Sequence, residues 1–292
     1  MEKEQQEHEF TTIIKPKNKL FEVNLKEIWD YRDLLTLFVK RDITTSYKQT
    51  ILGPLWWIIQ PVFTVVMYMV VFGGIAGIPT DGVPQPLFYL GGVCMWQYFA
   101  DCLNKTSNTF VSNAGIFGKV YFPRLIVPIE NVVSNLVRFG IQFALFVAVY
   151  ICYAVAGMGA CPNWYALLFP VLVVMMAGLA LGFGILISSM TTKYRDLQVL
   201  FGFIVSLWMY ATPIVYPLSQ VKGKIVAGFD LYNIMCINPV TPIIETFKYG
   251  ALGAGDFIGW GWMAYSLAFT VVLLALGIVV FNRVQKSFMD TV

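Results

Sequence analysis

Residues 164–192 read WYALLFPVLVVMMAGLALGFGILISSMTT and contain no Asp, Glu, Lys or Arg. A helix needs about 20 mostly apolar residues to cross the hydrocarbon core of a bilayer, because each residue adds about 1.5 Å. This stretch is long enough, so it predicts a transmembrane helix. Its apolar side chains do not alternate with polar ones, which argues against the wall of a β-barrel.

Five further stretches are apolar enough to span a bilayer, or nearly so. They lie at 49–80, 82–100, 139–164, 197–221 and 257–282, and they carry no charge. We therefore predict an all-α integral membrane protein with six transmembrane helices. The composition agrees: 58% of the residues are hydrophobic and 13% are charged, whereas soluble domains carry roughly 25% charged residues. A soluble enzyme, a disordered chain and a collagen-like fibre are excluded.

The distribution of Lys and Arg predicts that both termini are cytoplasmic. Of the 20 basic residues, 15 fall in the N-terminal segment, in the second and fourth junctions and in the C-terminal tail. Cytoplasmic segments of membrane proteins carry this excess of Lys and Arg.

The net charge of +3 gives no support for a nucleic-acid partner. The predicted parts are a polar tail at 1–23, an amphipathic interface helix at 24–48, a six-helix transmembrane domain at 49–283 and a second tail at 284–292.

The sequence lacks signatures of catalysis and of metal binding. There is no GxSxG or HExxH, and the nearest approach to a P-loop has Val120 where Ser or Thr is required. His8, the one histidine, lies in the polar tail. The five cysteines form no CxxC pair and are predicted to be buried free thiols. We predict no enzyme, no catalytic residue and no metal site, so an ATPase that drives transport would be another chain.

Residues 24–46 combine an apolar stripe, which includes Trp29, with a charged face. Asn24 stands three residues before Glu27, in the spacing of a capping box. This pattern predicts an amphipathic helix that lies in the membrane interface. A helix packed on a soluble partner is the alternative.

The predicted loop at 112–125 is unusually rich in aromatic residues. Phe117, Tyr121 and Phe122 stand among two cations, which favours docking into a groove of a partner protein. An aromatic anchor at the lipid headgroups is the alternative.

The outer segment at 218–258 contains a short helical pattern. Thr241 and Pro242 are a good N-cap and first-turn pair, and Gly250 is a good stop. A helix of about ten residues is too short to cross a bilayer. The pattern therefore predicts a re-entrant or capping helix. Such a helix is tolerated at membrane depth only where protein or a cavity surrounds it.

Charged and polar residues occur within the predicted spans. Asp101 and Lys105 are four residues apart, and the spacing allows them to pair with each other. Asn131, Asn135 and Arg138 share one helical face by the same spacing. Two interpretations of this helical face are possible. Its side chains could pair with others inside the helical bundle, or they could contact substrate directly.

Aromatic side chains and prolines are concentrated in the first and fifth spans. Aromatic residues near span ends are typical interface anchors, whereas deeper ones could offer flat apolar faces to sugar rings. The candidate path aromatics are Trp56, Trp57, Tyr68, Phe72, Trp96, Tyr98, Trp208, Tyr210 and Tyr216.

Several short motifs, in the order in which they occur along the chain, resemble those of permeases of polysaccharide ABC exporters. They are KRD at 40–42, YKQTILGPLW at 47–56, VFG at 71–73, GIP at 77–79, KVYFPR at 119–124, YRD at 194–196, ATPIVYP at 211–217 and NP at 238–239. The resemblance covers roughly residues 25–285. It implies export of O-antigen, capsular polysaccharide or teichoic acid linked to lipid pyrophosphate, and we favour O-antigen.

The resemblance also implies partners and site residues. Two copies of the chain would pair, in the bacterial inner membrane, with two ATP-binding subunits that hold ATP and Mg. The coupling segment would be Phe117, Gly118, Lys119, Val120, Tyr121, Phe122, Pro123 and Arg124. Candidates for holding the pyrophosphate are Arg41, Lys48 and Arg124. The periplasmic gate would contain Asn238, Pro239, Pro242 and Phe247.

Other classes of protein remain as alternatives. An ion-coupled secondary transporter would need a buried ionisable relay, for which Asp101, Lys105 and Arg138 are the candidates. A membrane-embedded glycosyltransferase would need carboxylates or histidines at a cavity, and the sequence offers no suitable cluster. Within the family, an exporter of capsule, of teichoic acid or of small drugs is the nearest alternative.

Overall fold

The computed structural model describes residues 25–48, 50–117, 119–158, 161–192, 194, 196–226 and 228–288. Within them the chain is helical, apart from turns and one antiparallel hairpin of β1 (Ile225–Val226) and β2 (Phe229–Asp230). The α-helices are α1 (Leu25–Asp30), α2 (Arg32–Tyr47), α3 (Trp56–Tyr68), α4 (Gln85–Ser107), α5 (Thr109–Phe117), α6 (Ile126–Val155), α7 (Phe169–Thr191), α8 (Asp196–Tyr210), α9 (Leu231–Ile237), α10 (Val240–Leu252) and α11 (Trp260–Phe288). The predicted cap Asn24 lies outside the described residues.

Four helical segments of the described chain are long and apolar enough to cross a membrane. They are Gly53–Ile75, Ile126–Val155, Trp164–Thr191 and Trp260–Gln285. The second and fifth of the six predicted spans correspond to α4, which carries polar residues in its last turns, and to α8, which has 15 residues. The multi-span helical architecture is therefore confirmed, and the count of six stays a prediction.

The core of the bundle surrounds α4. This helix packs against α6 and α7, and Leu87, Tyr89, Met95 and Phe99 are fully or almost fully buried. A helix enclosed by protein does not need the hydropathy of a lipid-facing one. This enclosure explains how α4 combines a buried position with polar residues near its end.

Glycines allow the closest approaches between helices. A Cβ added to Gly184 of α7 would lie 2.5 Å from the Cβ of Thr106 in α4. A Cβ on Gly250 of α10 would lie 2.7 Å from the backbone carbon of Tyr165. Small residues at such contacts let backbones pack directly, as is common between helices in membranes.

Two helices are barely covered by the rest of the chain. Only Pro61 and Val65 are buried in α3, and only Val205 is buried in α8. Beyond Tyr68, α3 continues as a π-helix over Met69–Ile75, a variant that is frequent at functional sites. In this single chain α3 and α8 thus leave wide apolar faces open.

Two expected segments differ in their boundaries. The expected loop at 112–125 begins as helix, because α5 runs to Phe117. The short outer helix begins at Val240 and ends at Leu252, where Gly253 adopts φ 66°. Gly250 is inside this helix and serves close packing, so its interpretation as a stop was wrong.

The cysteines are free, but not all of them are buried. Cys94, Cys102 and Cys236 are buried as expected, whereas Cys152 and Cys161 are exposed. The prediction failed for these two because they lie at and beyond the last turn of α6, where it leaves the helical core.

Candidate coupling and translocation sites

The predicted coupling segment divides into anchoring and presented residues. Phe117 and Phe122 are buried, at 4% and 5% exposure. Val120 and Tyr121 are 59% and 55% exposed, and Lys119 is exposed as well. Gly118 lies outside the described residues. We call Lys119, Val120 and Tyr121 the presented turn.

A small aromatic cluster holds the presented turn. The Phe122 ring lies 5.8 Å from those of Phe38 and Phe117, and the Phe110 ring stacks 4.7 Å from that of Phe281. These contacts connect α2, α5 and α11. The spacing of the residues did not reveal which aromatics point inward, because α2 and α11 are remote in sequence.

Pro123 and Arg124 close the segment next to the last helix. The Arg124 guanidinium donates to the Gln285 carbonyl oxygen at 2.8 Å and lies 5.5 Å from the centre of the Phe117 ring. Pro123 is half-buried. Arg124 therefore joins the coupling segment to the end of α11.

The three candidate pyrophosphate residues do not line one site. Arg41 and Lys48 line a groove of about 670 Å³ along α2, together with Lys40. Arg124 is not among the residues that line this groove. The Arg41 guanidinium lies 4.7 Å from the centre of the Phe38 ring. The pyrophosphate role that the resemblance implied for the three residues stays a prediction, and the structure places Arg41 in α2, Lys48 directly after it and Arg124 elsewhere.

The charged residues near the end of α4 pair across helices. Lys105 Nζ lies 2.8 Å from Asp42 Oδ2 of α2, and Arg138 lies 2.9 Å from Asp101 Oδ2. The suggested Asp101–Lys105 pair was wrong, because each side chain meets a closer partner on a neighbouring helix. The Arg138 guanidinium also lies 5.4 Å from the centre of the Trp57 ring, which connects α6 to α3.

Asp42 connects the interface helix to the bundle. Besides Lys105, its Oδ2 accepts a hydrogen bond of 2.7 Å from Ser134 Oγ. Burial raises the pKa of the Asp42 carboxyl, but the two hydrogen bonds and the positive charges of Lys105 and Arg138 together outweigh burial, so the pKa lies below its usual value. Asp42 therefore stays ionised and holds α2 against α4 and α6.

We expect Asp42→Asn to lower the stability of the protein by about 1–2 kcal/mol at neutral pH, since Asp42 is only partly exposed. Because the folded pKa lies below the unfolded value of about 4, the contribution is complete above that pH. It is lost as the pH falls through the lowered folded pKa. Melting curves of both proteins in detergent, from pH 7 downward, should converge below about pH 4. Asp33→Asn, an exposed carboxyl on the same helix, is the control; an equal shift there would contradict the role of Asp42.

The candidate gate residues are packed rather than exposed. Asn238 Oδ1 accepts hydrogen bonds from Trp208 Nε1 at 3.0 Å and from the Val240 backbone at 3.1 Å. The Pro239 carbonyl accepts from Ser266 Oγ at 2.6 Å. The Asn238 side chain therefore bonds the first residue of α10 and ties this end of the helix to α8.

The rest of α10 lies in the core. Pro242 is buried, and the Phe247 ring lies 5.6 Å from that of Phe146 and 5.7 Å from that of Phe169. A short helix with so little exposed surface fits the prediction of a re-entrant or capping element that protein surrounds.

Two charged residues in α10 are buried, which the local sequence pattern did not indicate. Lys248 and Glu245 are 1% and 6% exposed. The Lys248 ammonium donates to the Pro213 carbonyl and lies 3.8 Å from the centre of the Phe88 ring. It thereby binds α10 to the turn after α8 and to α4. A lone Lys in an apolar pattern is the signal that could have indicated this role.

The predicted path aromatics fall into two groups. Trp96 and Tyr98 are 4% and 2% exposed and belong to the core, so they line no surface of this chain. The others are exposed or half-buried on or next to α3 and α8: Trp56, Trp57, Tyr68, Phe72, Trp208, Tyr210 and Tyr216. The distinction could not be predicted, because all nine lie in apolar helical stretches.

The two open helices meet within this second group. Tyr68 Oη of α3 donates to Met209 Sδ of α8 at 3.4 Å, and the Tyr68 and Phe72 rings are 5.5 Å apart. Tyr216 Oη donates to the Tyr210 carbonyl at 3.0 Å. Aromatic side chains from α3, α8 and the following turn therefore lie along one region.

Four described helices that are long and apolar enough to cross a membrane indicate a multi-pass α-helical membrane protein. The family model for ABC-2 type transporters matches residues 33–252, which include α2, the presented turn and α10. The match covers more than half of the chain, and the chain belongs to this family.

Relatives of known name match over most of the chain. The O-antigen export system permease protein RfbA of Klebsiella pneumoniae is 26% identical over 263 residues, 88% of this chain and 94% of that protein. RfbA of Myxococcus xanthus is 25% identical over 225 residues, 77% of this chain and 82% of that protein. The polysialic acid transport protein KpsM of Escherichia coli is 21% identical over 254 residues, 86% of this chain and 93% of that protein.

Proposed function

We propose that this chain is the permease subunit of an ABC exporter of polysaccharide, with lipid-pyrophosphate-linked O-antigen as its substrate. The observation that carries the proposal is the extent of the family match. It includes the interface helix, the presented turn and the re-entrant helix. The names of the relatives point to O-antigen first and to polysialic acid second.

In this proposal α4 and α8 are the second and fifth of six spans. The enclosure of α4 by protein supports a span with polar residues, and α8 is extended by the turn at 211–217. The excess of Lys and Arg supports cytoplasmic termini in a bacterial inner membrane. The open faces of α3 and α8 support a second copy of the chain as the partner that covers them.

The presented turn would dock in a groove of an ATP-binding subunit, where ATP and Mg are held. Its exposed Val120 and Tyr121 are suited to such a contact, since interface cores favour aromatic and apolar groups. The buried Phe117 and Phe122 would transmit movement of the turn to α2 and α11. Separation of α3 and α8 from those of the second copy would then open the path.

Transport of a long polymer requires many weak contacts instead of one strong site. Aromatic pairs contribute about 0.5–1.5 kcal/mol each beyond area burial, and we use this as the scale for one sugar–ring contact. We assign the path to Trp57, Tyr68, Phe72, Tyr210 and Tyr216, with Trp56 at its entrance and Trp208 behind it. Trp96 and Tyr98 are left out because they are buried in the core.

We expect Tyr121→Asp to abolish capture of the ATP-binding subunit while the permease stays folded. The change places a charge at the centre of the proposed contact, whereas the side chain is half exposed in the free chain. The measurement is affinity capture of the tagged protein from its native membrane, followed by mass spectrometry. Tyr47→Asp, which alters another exposed tyrosine, is the control and should retain the subunit.

The same experiment separates the proposed function from its rival. A stoichiometric ATP-binding subunit with the unaltered chain supports the exporter. A homo-oligomer without an ATPase contradicts it and favours the ion-coupled transporter. Stimulation of ATP hydrolysis by O-antigen, but not by capsular or teichoic acid polymers, would test the substrate.

A further inference from the structure

A chain of polar contacts crosses the bundle near the first turn of α3. Gln97 Nε2 donates to Asp101 Oδ1 at 2.9 Å, and Arg138 donates to the other carboxylate oxygen, Oδ2, at 2.9 Å. The Arg138 guanidinium in turn lies over the indole of Trp57, 5.4 Å from the ring centre. These contacts therefore run from α4 through α6 to α3.

Next to the ion pair, α4 and α6 already pack through apolar side chains. The Tyr98 ring of α4 and the Phe139 ring of α6 lie 5.0 Å apart. Arg138 belongs to the membrane-spanning segment Ile126–Val155, where an ionised side chain is costly and marks a functional position. What the guanidinium adds to this packing is the contact with Trp57.

Backbone and burial fix the first turn of α3 only weakly. Among the residues of α3, Pro61 and Val65 alone are buried. Proline has no backbone N–H, so the Trp57 carbonyl, four residues before Pro61, lacks its α-helical donor. A contact from outside the helix can therefore set the position of the indole.

The guanidinium covers one face of the indole and leaves the other face free of this contact. A cation over an aromatic ring is attracted by the electrons of the ring, most strongly for Trp and more so where water is partly excluded. The Arg138 and Asp101 side chains are 25% and 18% exposed, so water is partly excluded here. Trp57 itself is half-buried and keeps some exposed surface.

We propose that Arg138 is a positioning residue of the translocation path. It holds the indole of Trp57 so that the second face of the ring can stack on a sugar ring of the exported glycan. Asp101 orients the guanidinium, and Gln97 orients the carboxylate of Asp101. This inference rests on the proposed function and deepens it, because it identifies what sets the geometry of one path aromatic. Arg138 acts through Trp57 and not by binding the glycan itself.

The first readout is the fluorine NMR spectrum of the full chain, labelled with fluorotryptophan and placed in lipid nanodiscs. Trp57→Phe assigns the Trp57 resonance. We expect Arg138→Met to shift this resonance more than that of any other tryptophan. Arg32→Met is the matched control, because the Arg32 guanidinium lies over the Trp29 ring, 5.9 Å from its centre. It should shift the Trp29 resonance and leave that of Trp57 in place.

The second readout is ATP hydrolysis by the complex of the chain with its ATP-binding subunit. Arg138→Met should raise the concentration of O-antigen polymer that gives half-maximal stimulation by about two- to tenfold, as loss of one aromatic contact predicts. Arg32→Met should leave this concentration unchanged.

Arg138→Lys separates the positioning role from a merely structural ion pair. The variant keeps a cation for Asp101, which guards against misfolding, but it lacks the flat guanidinium that stacks on an aromatic ring. It should therefore shift the Trp57 resonance and raise the half-stimulating concentration, whereas a merely structural ion pair would leave both readouts unchanged.

Two results would each overturn the inference. One is a Trp57 resonance that Arg138→Met and Arg138→Lys leave in place, and the other is a normal response of ATP hydrolysis to the polymer in both variants. If either occurs while the polymer stimulates the unaltered complex, the positioning role fails and the exporter stands. An unaltered chain that captures no ATP-binding subunit would instead contradict the proposed function, on which the inference rests, whatever the NMR spectrum shows.

Discussion

Replacing Lys248 with methionine is expected to destabilise the protein by about 3–5 kcal/mol, the range for breaking a buried ion pair. Lys248 lies 3.6 Å from Glu245 Oε1, and its ammonium donates to the Pro213 and Ile214 carbonyls. Without it, a carboxylate and two carbonyls in the core lose their cation. Thermal melting of the purified protein in detergent measures the loss.

Two further variants distinguish a buried charge from simple loss of packing. Lys248→Met combined with Glu245→Leu removes both charges and should recover much of the stability, because apolar replacements of buried pairs are often neutral. Lys222→Met breaks the exposed pair with Asp256 and should cost about 0–1 kcal/mol. If Lys248→Met melts like Lys222→Met, the ammonium does not bind α10 to the turn after α8.

Phe122→Ala is expected to cost about 3–5 kcal/mol, as for other buried phenylalanines replaced by alanine. The ring is almost fully buried and makes an edge contact with Phe38 of α2 and a tilted contact with Phe117. Its removal leaves a cavity where three segments meet. Melting and limited proteolysis of the coupling segment measure the effect.

Tyr121→Ala is the matched control, because the neighbouring ring is 55% exposed. It should change the melting temperature little, while Phe122→Ala should lower it clearly. Similar melting of the two variants would show that Phe122 does not anchor the segment. If Phe122→Ala melts at the expected lower temperature and also fails to capture the ATPase, the failure reflects lost anchoring and not a lost contact.

Much of the architecture could be predicted from short stretches of sequence. The spans at 164–192 and 257–282 follow from uninterrupted apolar composition, and α2 and α10 follow from local patterns. The short motifs and their order along the chain indicated the family, and the match of the ABC-2 type transporter model to residues 33–252 confirms it. The ends of the helices were not all predicted correctly. Gly250 lies inside α10, where it allows a close contact with Tyr165, and it does not end the helix.

The partners of individual side chains could not be predicted in this way. Asp101 pairs with Arg138 instead of Lys105, and Trp96 is enclosed in the core while Tyr210 is exposed. Both outcomes depend on which helices are neighbours, which no single stretch encodes.

Whether a segment is apolar, amphipathic or helical depends on residues close together in the chain, so these properties could be predicted from the amino-acid sequence. That Phe122 anchors while Tyr121 is presented, and that Lys248 is buried among carbonyls, follows from the packing of the helices. The same packing brings Arg138 to the indole of Trp57. The physical reason is that burial and pairing depend on the packing of helices that are distant in sequence.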